Sequence, residues 1–243
     1  MKYLFVDCRW ELGKPEVGRR LYLEGHIPGA AFLDVESELS APPATPGGRH
    51  PLPSGQDFAR AAGKAGIGPG VFVVAYDQGM TGGAARLWWL LRHFGHDDVA
   101  VLAGGIRAWA GPVRAGEEEI EEAEFIARPR EDDAIEAEAL ERRLGDDGLV
   151  VLDARAPERY RGEVEPIDPV AGHIPGARNL PFTDEIAIPP DVLDAEDVVV
   201  YCGSGITACV DLLALARAGR DDARLYPGSW SDWCSRGLPV ERG

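Results

Sequence analysis

The sequence predicts an α/β protein made of two tandem domains, each a parallel β-sheet flanked by helices. The hexapeptide Gly-His-Ile-Pro-Gly-Ala occurs at residues 25–30 and again at 172–177. Before each copy, a short apolar segment ends in aspartate: 19 residues separate Asp7 from His26, and 20 separate Asp153 from His173. Both the hexapeptide and its distance from the preceding aspartate repeat. A tandem duplication of one α/β unit of about 100 residues explains this pattern.

Apolar runs predict the central strands of both domains. Residues 3–7 and 71–76 in the first half, and 149–153 and 198–201 in the second, are rich in β-branched and aromatic residues. Such runs are typical of parallel strands buried on both faces. Helical spacing follows at 84–93, from about 135, and at 206–218, where Ile206, Val210, Leu213 and Ala214 share one face.

The predicted domains are 1–115 and 132–243, joined by a linker at 116–131. The linker begins with the acidic run Gly116–Glu124, a composition typical of a solvated segment. The first half is longer than the second between the matching landmarks, and its extra residues include the Pro- and Gly-rich stretch 40–53. This stretch is either a domain-contact loop or a functional loop, since it places Arg49 beside His50.

Composition excludes several classes of protein. A net charge of −16 and a pI near 4.7 argue against nucleic-acid binding, which needs a basic face. A small anionic substrate would need a local positive pocket. The amino terminus lacks an apolar secretory region, and no long apolar run suggests a membrane span, so we expect a cytoplasmic location. The four cysteines form no CxxC pair, so we expect no metal site and no cofactor.

The segment around Cys202 predicts a reactive thiolate. Cys202 follows the predicted strand 198–201, at the carboxyl end where open α/β sheets bind ligands. Gly203 and Gly205 allow backbone N–H groups to turn towards one point, and the following helix adds a positive dipole end. A buried structural cysteine is the alternative, but the flanking glycines and the hydroxyls of Ser204 and Thr207 favour a reactive one.

Asp77 stands in the first half at the position that Cys202 holds in the second, so the first domain is predicted to be chemically silent. With the repeated hexapeptide and the matching segments 104–109 (GGIRAW) and 228–233 (GSWSDW), the chain resembles the two-domain rhodanese-like sulfurtransferases. That family comprises thiosulfate and 3-mercaptopyruvate sulfurtransferases. The resemblance implies two rhodanese-like domains, with the active cysteine of the second carrying a persulfide.

The resemblance also implies roles for individual residues. The loop 202–207 is similar to the mercaptopyruvate type, whereas thiosulfate-specific loops carry Arg and Lys at the positions of Gly203 and Ser204. Arg159 matches the arginine that binds the anionic donor, and a second family arginine aligns with Asp168, for which Arg161 is a candidate substitute. The mixed signature leaves the donor open. The predicted catalytic residues are Cys202 and Ser204, and the predicted substrate-binding residues are Arg159, Gly203, Gly205, Ile206, Thr207, His50, Glu36 and Arg161.

The predicted reaction moves a sulfane sulfur from a small anionic donor, through a Cys202 persulfide, to cyanide, a thiol or a thioredoxin-like acceptor. Cys202 would attack the donor sulfur and release pyruvate or sulfite. Ala208 stands where a cysteine phosphatase of this fold needs arginine, which argues against phosphoryl transfer. A persulfide carrier without turnover, or a sulfur-sensing module, is the remaining alternative.

Overall fold

Each half of the chain forms a four-stranded parallel sheet. The computed structural model describes residues 2–79, 81–183 and 186–243. The first sheet has the strand order β2-β1-β3-β4 and is formed by β1 (Lys2–Asp7), β2 (Ala31–Phe32), β3 (Val71–Tyr76) and β4 (Val99–Val101). The second has the order β6-β5-β7-β8 and is formed by β5 (Leu149–Asp153), β6 (Arg178–Asn179), β7 (Asp197–Tyr201) and β8 (Arg224–Leu225). The identical orders confirm the predicted tandem α/β domains.

Most of the helices connect the parallel strands, as crossovers between such strands require, and the others precede or follow the strands of their sheet. In the first half they are α1 (Glu16–Glu24), α2 (Gly55–Lys64), α3 (Gly83–His93) and a 3₁₀ turn at Gly105–Ala108. In the second they are α4 (Ala137–Arg143), α5 (Pro157–Tyr160), α6 (Pro190–Leu193), α7 (Ala208–Arg217) and α8 (Ser229–Ser235). None of the helices in the described ranges is long and apolar enough to cross a membrane.

The chain divides into two compact units. The first comprises the chain up to Ala41 together with Leu52–Arg130, and the second comprises Pro42–Pro51 together with Glu131–Gly243. The Pro- and Gly-rich stretch is therefore part of the second unit. The segment after the acidic run packs on the first unit, where the ring of Phe125 meets that of Phe58 edge-on at 5.5 Å. The domain boundaries at 115 and 132 stay a prediction.

The repeated hexapeptide forms the same turn in each unit. The amide of Ile27 donates a hydrogen bond to the hydroxyl of Tyr76 at 3.2 Å, and the amide of Ile174 donates to Tyr201 at 3.1 Å. His173 stacks on Tyr160 at 3.9 Å between ring centroids and uses Nδ1 to hydrogen-bond the Tyr160 carbonyl. His26 makes the matching contacts with Tyr22. Both histidines are therefore structural.

A buried Asp–Arg pair ties each turn to its sheet. In the second unit, Asp153 ends β5 and pairs with Arg155 at 2.7 Å, and Arg155 Nη2 donates to the Gly172 carbonyl at 2.6 Å. In the first unit, Asp7 pairs with Arg9 at 2.6 Å, and Arg9 donates to the Gly25 carbonyl at 2.7 Å. The carboxyl end of each central strand is thereby fixed to the start of the hexapeptide.

Replacing either buried tyrosine by phenylalanine is expected to destabilise its own unit. Tyr76→Phe and Tyr201→Phe would each leave a buried amide without its acceptor, which costs about 1–3 kcal/mol in the free energy of unfolding. Urea denaturation would measure the loss, with the exposed Tyr3→Phe as control. A loss no larger than that of the control would show that these hydrogen bonds do not hold the turns.

Candidate active site

Cys202 lies directly after β7 and before α7, at the carboxyl edge of the second sheet, as predicted. Only 2% of the residue is exposed. The amide of Gly205 donates a hydrogen bond to Cys202 Sγ at 3.1 Å, and the Cys202 amide donates to Ser229 Oγ at 3.1 Å. The sulfur is thus held at the base of its loop by a backbone N–H donor, the kind of group that stabilises a negative charge.

Gly205 is required at its position for two reasons. Its φ is +84°, in the left-handed region that favours glycine. A β-carbon placed there would also lie 2.5 Å from the carbonyl oxygen of Pro227. This close approach of two backbone segments directs the Gly205 amide at the sulfur. The sequence predicted a helix from Ile206, but α7 begins at Ala208. Ile206 and Thr207 instead complete the turn that follows Cys202.

Ser204 and His50 form a hydrogen-bonded pair within the second unit. His50 Nδ1 and Ser204 Oγ are 2.7 Å apart, and both residues are buried. The stretch Pro42–Pro51 brings His50 there, because helix α8 anchors it. The Gly47 amide donates to Asp232 Oδ1 at 2.7 Å, and the Arg49 amide donates to Ser231 Oγ at 3.1 Å. A hydroxyl bonded to an imidazole can pass a proton.

Two guanidinium groups lie next to the cysteine loop. A β-carbon placed on Gly203 would lie 3.0 Å from Arg49 Nη2 and 3.5 Å from Arg159 Nη1. Arg159 Nη2 also donates to Glu165 at 2.6 Å and to Asp168 Oδ2 at 3.4 Å, and Arg49 pairs with Asp168 Oδ1. These arginines supply cationic groups beside the loop, and both are paired with carboxylates.

The two carboxylates of this cluster are tuned differently. Burial raises the pKa of Asp168, opposed mainly by the charge of Arg49, and the net direction is upward. Burial also raises the pKa of Glu165, but its hydrogen bonds from Arg159 and from backbone amides outweigh burial, and the net direction is downward. The hydrogen bonds to Glu165 therefore favour its charged form, whereas burial favours the protonated form of Asp168.

The other predicted site residues lie in several places. Gly203, Ile206 and Thr207 are part of the loop between β7 and α7, with Ile206 buried. Arg161 pairs with Glu163 and has a side chain that is 43% exposed. Glu36 lies in the first unit, where its Oε1 accepts a hydrogen bond from the Gly13 amide at 3.4 Å. The binding roles given to these residues stay predictions.

Comparison with known proteins decides the family. The Rhodanese-like domain family matches residues 1–112 and 136–236. The chain belongs to the rhodanese-like family. It is 45% identical to a probable 3-mercaptopyruvate sulfurtransferase of Pseudomonas aeruginosa, covering 95% of this chain and 88% of the relative. It is 41% identical to the putative thiosulfate sulfurtransferase SseB of Mycobacterium tuberculosis, covering 98% and 90%.

A solved structure agrees with this assignment. The crystal structure of SseA from Escherichia coli, a 3-mercaptopyruvate sulfotransferase, superposes with a TM-score of 0.80 at 31% identity, covering 94% of this chain and 93% of SseA. The rhodanese-like chain is therefore a sulfurtransferase, as the resemblance implied. The order of strands in its two sheets fits two copies of the rhodanese-like domain.

Asp77 of the first rhodanese-like domain occupies the position of Cys202. It follows β3 as Cys202 follows β7, and its carboxylate accepts hydrogen bonds from the amides of Gly79 at 2.8 Å and Ala84 at 3.3 Å. In the first domain, the amides of the equivalent loop thus contact the side chain of Asp77. Because aspartate has no sulfur atom, this loop cannot carry a persulfide.

Asp211 is a buried acid that the sequence reasoning missed. It lies on α7 among apolar residues, is fully buried, and neither carboxylate oxygen has a hydrogen-bond partner among the described residues. Burial raises its pKa well above the ordinary value, and the nearby Cys202 and Asp153 add to the effect. Its signal in the sequence is a single charge within the otherwise uncharged run 208–216.

Asp211→Asn is expected to stabilise the fold at neutral pH. The pKa of Asp211 is raised in the folded state, so Asp211 lowers the free energy of unfolding at any pH above its unfolded-state pKa of about 4. This destabilisation grows as the pH rises above that value and is absent below it. The gain for the variant should be about 1–3 kcal/mol at pH 7 and should shrink towards pH 4. Urea denaturation at both pH values, with the exposed Asp222→Asn as control, measures it. An equal gain at both pH values would contradict ionisation as the cause.

Proposed function

We propose that Cys202 is the nucleophile that carries the transferred sulfur as a persulfide. The observation that supports this most is the Gly205 amide donating to Cys202 Sγ at 3.1 Å while two guanidinium groups lie beside Gly203. The amide stabilises negative charge on the sulfur before attack and after the persulfide has formed. The arginines supply planar donor forks that orient an anionic donor.

The first half-reaction is attack of the Cys202 thiolate on the donor sulfur. A bond forms between the two sulfurs while the carbon–sulfur bond of 3-mercaptopyruvate breaks, and its electron pair leaves as the enolate of pyruvate. That enolate needs a proton, which Ser204 Oγ supplies with His50 as its hydrogen-bonded partner. With thiosulfate, sulfite leaves without protonation at carbon.

The second half-reaction regenerates the thiolate. Cyanide, a small thiol or a thioredoxin-like thiol attacks the outer sulfur of the persulfide, the sulfur–sulfur bond breaks, and its electron pair returns to Cys202. With cyanide the product is thiocyanate.

We propose 3-mercaptopyruvate as the preferred donor. Gly203 and Ser204 give the loop no cationic side chain of its own, so an anion is bound by the arginine forks beside it, which match a planar carboxylate. The relative from Pseudomonas aeruginosa carries the same activity in its name. Thiosulfate is the second candidate, because the relative from Mycobacterium tuberculosis is named for it. Assays with both donors, compared by kcat/KM, decide between them.

Cys202→Ser is expected to abolish sulfur transfer, with a loss of about a thousand-fold or more in kcat. The measurement is steady thiocyanate production from cyanide with either donor, and Cys8→Ala in the first unit is the matched control. Undiminished transfer by Cys202→Ser would rule out the proposed nucleophile. A single burst of thiocyanate from the natural sequence, without turnover, would favour a persulfide carrier instead.

Ser204→Ala is expected to separate the two donors. Loss of the proton donor should lower kcat with 3-mercaptopyruvate by about a hundred-fold, a usual size for general acid catalysis. With thiosulfate the loss should be small because sulfite needs no proton at carbon. Equal losses with both donors would instead assign Ser204 to shaping the loop. Ser37→Ala, at an exposed serine of the first unit, is the control.

A further inference from the structure

Arg49 comes from a part of the chain far from the cysteine loop. The segment that carries it, Pro42–Pro51, belongs to the second unit, whereas the other described residues before Glu131 belong to the first. Its backbone is fixed by the Gly47–Asp232 and Arg49–Ser231 hydrogen bonds. A segment anchored at two successive points presents the Arg49 guanidinium in a defined place.

The Arg49 side chain retains capacity to bind a ligand. Its Nε is buried and has no hydrogen-bond partner among the described residues, while the side chain as a whole is 25% exposed. Its Nη2 lies 3.0 Å from the position of a β-carbon on Gly203, the residue next to Cys202. The guanidinium therefore combines an unused donor, access to solvent and closeness to Gly203 of the cysteine loop.

Asp168 lies where the carboxylate of a ligand would be expected. Its side chain is 4% exposed, and its two oxygens are shared between Arg49 and Arg159. A carboxylate bridging two guanidinium groups is the usual way in which arginine pairs bind a carboxylate ligand. Glu165 pairs with Arg159 from another direction and does not contact Arg49 in any described hydrogen bond. Asp168 is thus the one described carboxylate shared by both arginines.

A pocket leads to this ion pair. Its volume is about 320 Å³, and Arg49 and Asp168 line it together with Pro43, Thr45, Ile167 and Ser231. Apolar and hydroxyl side chains form the rest of the wall, so the ion pair supplies the charged groups. A small anion entering the pocket would meet Arg49 and Asp168, and Arg49 Nη2 in turn lies beside Gly203.

We propose that Arg49 is a donor-binding residue and that Asp168 is a built-in counterion, which the carboxylate of the donor displaces from Arg49 and Arg159. The inference rests on the proposed function, since it names the residues that select the anionic donor for Cys202. Before binding, Asp168 pairs with both arginines and Glu165 pairs with Arg159, so two carboxylates balance the charges of two guanidinium groups. On binding, the donor takes over those hydrogen bonds, and Asp168 competes with it for them.

The two parts of the inference predict opposite effects on KM. Arg49→Met keeps the length of the side chain but removes its charge and donors, so KM for 3-mercaptopyruvate should rise about ten-fold or more with little change in kcat. Asp168→Asn removes the competing charge and should lower KM. If Asp168 only positioned the arginines, the same variant would raise KM. Arg178→Met, at an exposed arginine of the second unit paired with Asp191, is the matched control.

The Asp168→Asn variant keeps the test valid if Arg49→Met disturbs the neighbouring His50. Because Asp168→Asn leaves Arg49 in place, a lowered KM supports the inference even where Arg49→Met loses activity. An unchanged or raised KM in Asp168→Asn overturns the counterion, and an unchanged KM in Arg49→Met overturns the binding role. A rise in KM for Arg161→Met without one for Arg49→Met would assign the role to Arg161.

Calorimetric titration with pyruvate separates this inference from the proposed reaction. Pyruvate offers the carboxylate without a sulfur, and its Kd should rise about ten-fold in Arg49→Met whether or not any donor is turned over. If Arg49→Met binds pyruvate more weakly but the natural sequence turns over no donor, the proposed reaction is refuted and the anion site is supported. Normal turnover with unchanged KM and pyruvate affinity in Arg49→Met would refute the anion site alone.

Discussion

A continuous series of buried ion pairs connects the second sheet to the candidate active site. Asp153 at the end of β5 pairs with Arg155, which reaches Glu165 at 3.2 Å, and Glu165 holds Arg159 at 2.6 Å. Asp168 then links Arg159 to Arg49. Buried ion pairs add little net stability compared with apolar residues, but breaking one leaves a costly unpaired charge. Their effect here is to specify where the guanidinium groups lie relative to Cys202.

The two units share the start of this series and differ in where it leads. In the first unit, Arg9 pairs with Asp7 and donates to the carbonyls of Leu21 and Gly25, so the series ends at backbone atoms. In the second, Arg155 makes the same kind of contact with Gly172 and also reaches Glu165. The shared part fixes the hexapeptide turn, and the additional ion pairs place charged groups at the active site. One fold thus carries the proposed nucleophile in one domain and an aspartate at the same position in the other.

The repeat and the position of Cys202 after a strand could be predicted because both depend on local sequence. Apolar runs predicted β5 and β7 to within a residue, and the glycines predicted the loop after Cys202. The Arg49–Asp168 pair could not be predicted, since its members are 119 residues apart and meet only because Pro42–Pro51 packs within the second unit. Asp211 was missed for a related reason: one acid on a helix reveals nothing about burial until the packing of that helix is known.

An internal counterion suits the proposed binding of an anionic donor by an acidic protein. The chain has 41 acidic residues against 25 lysines and arginines, and without Asp168 the Arg49 guanidinium would lose the carboxylate with which it pairs, which is costly for a partly buried charge. Asp168 lowers that cost in the empty site, but the same attraction opposes the entering donor. Burial raises the pKa of Asp168 and so weakens the preference of this carboxyl group for its charged form. A more exposed acid would hold its charge, and an arginine pair without any acid would be harder to keep in place.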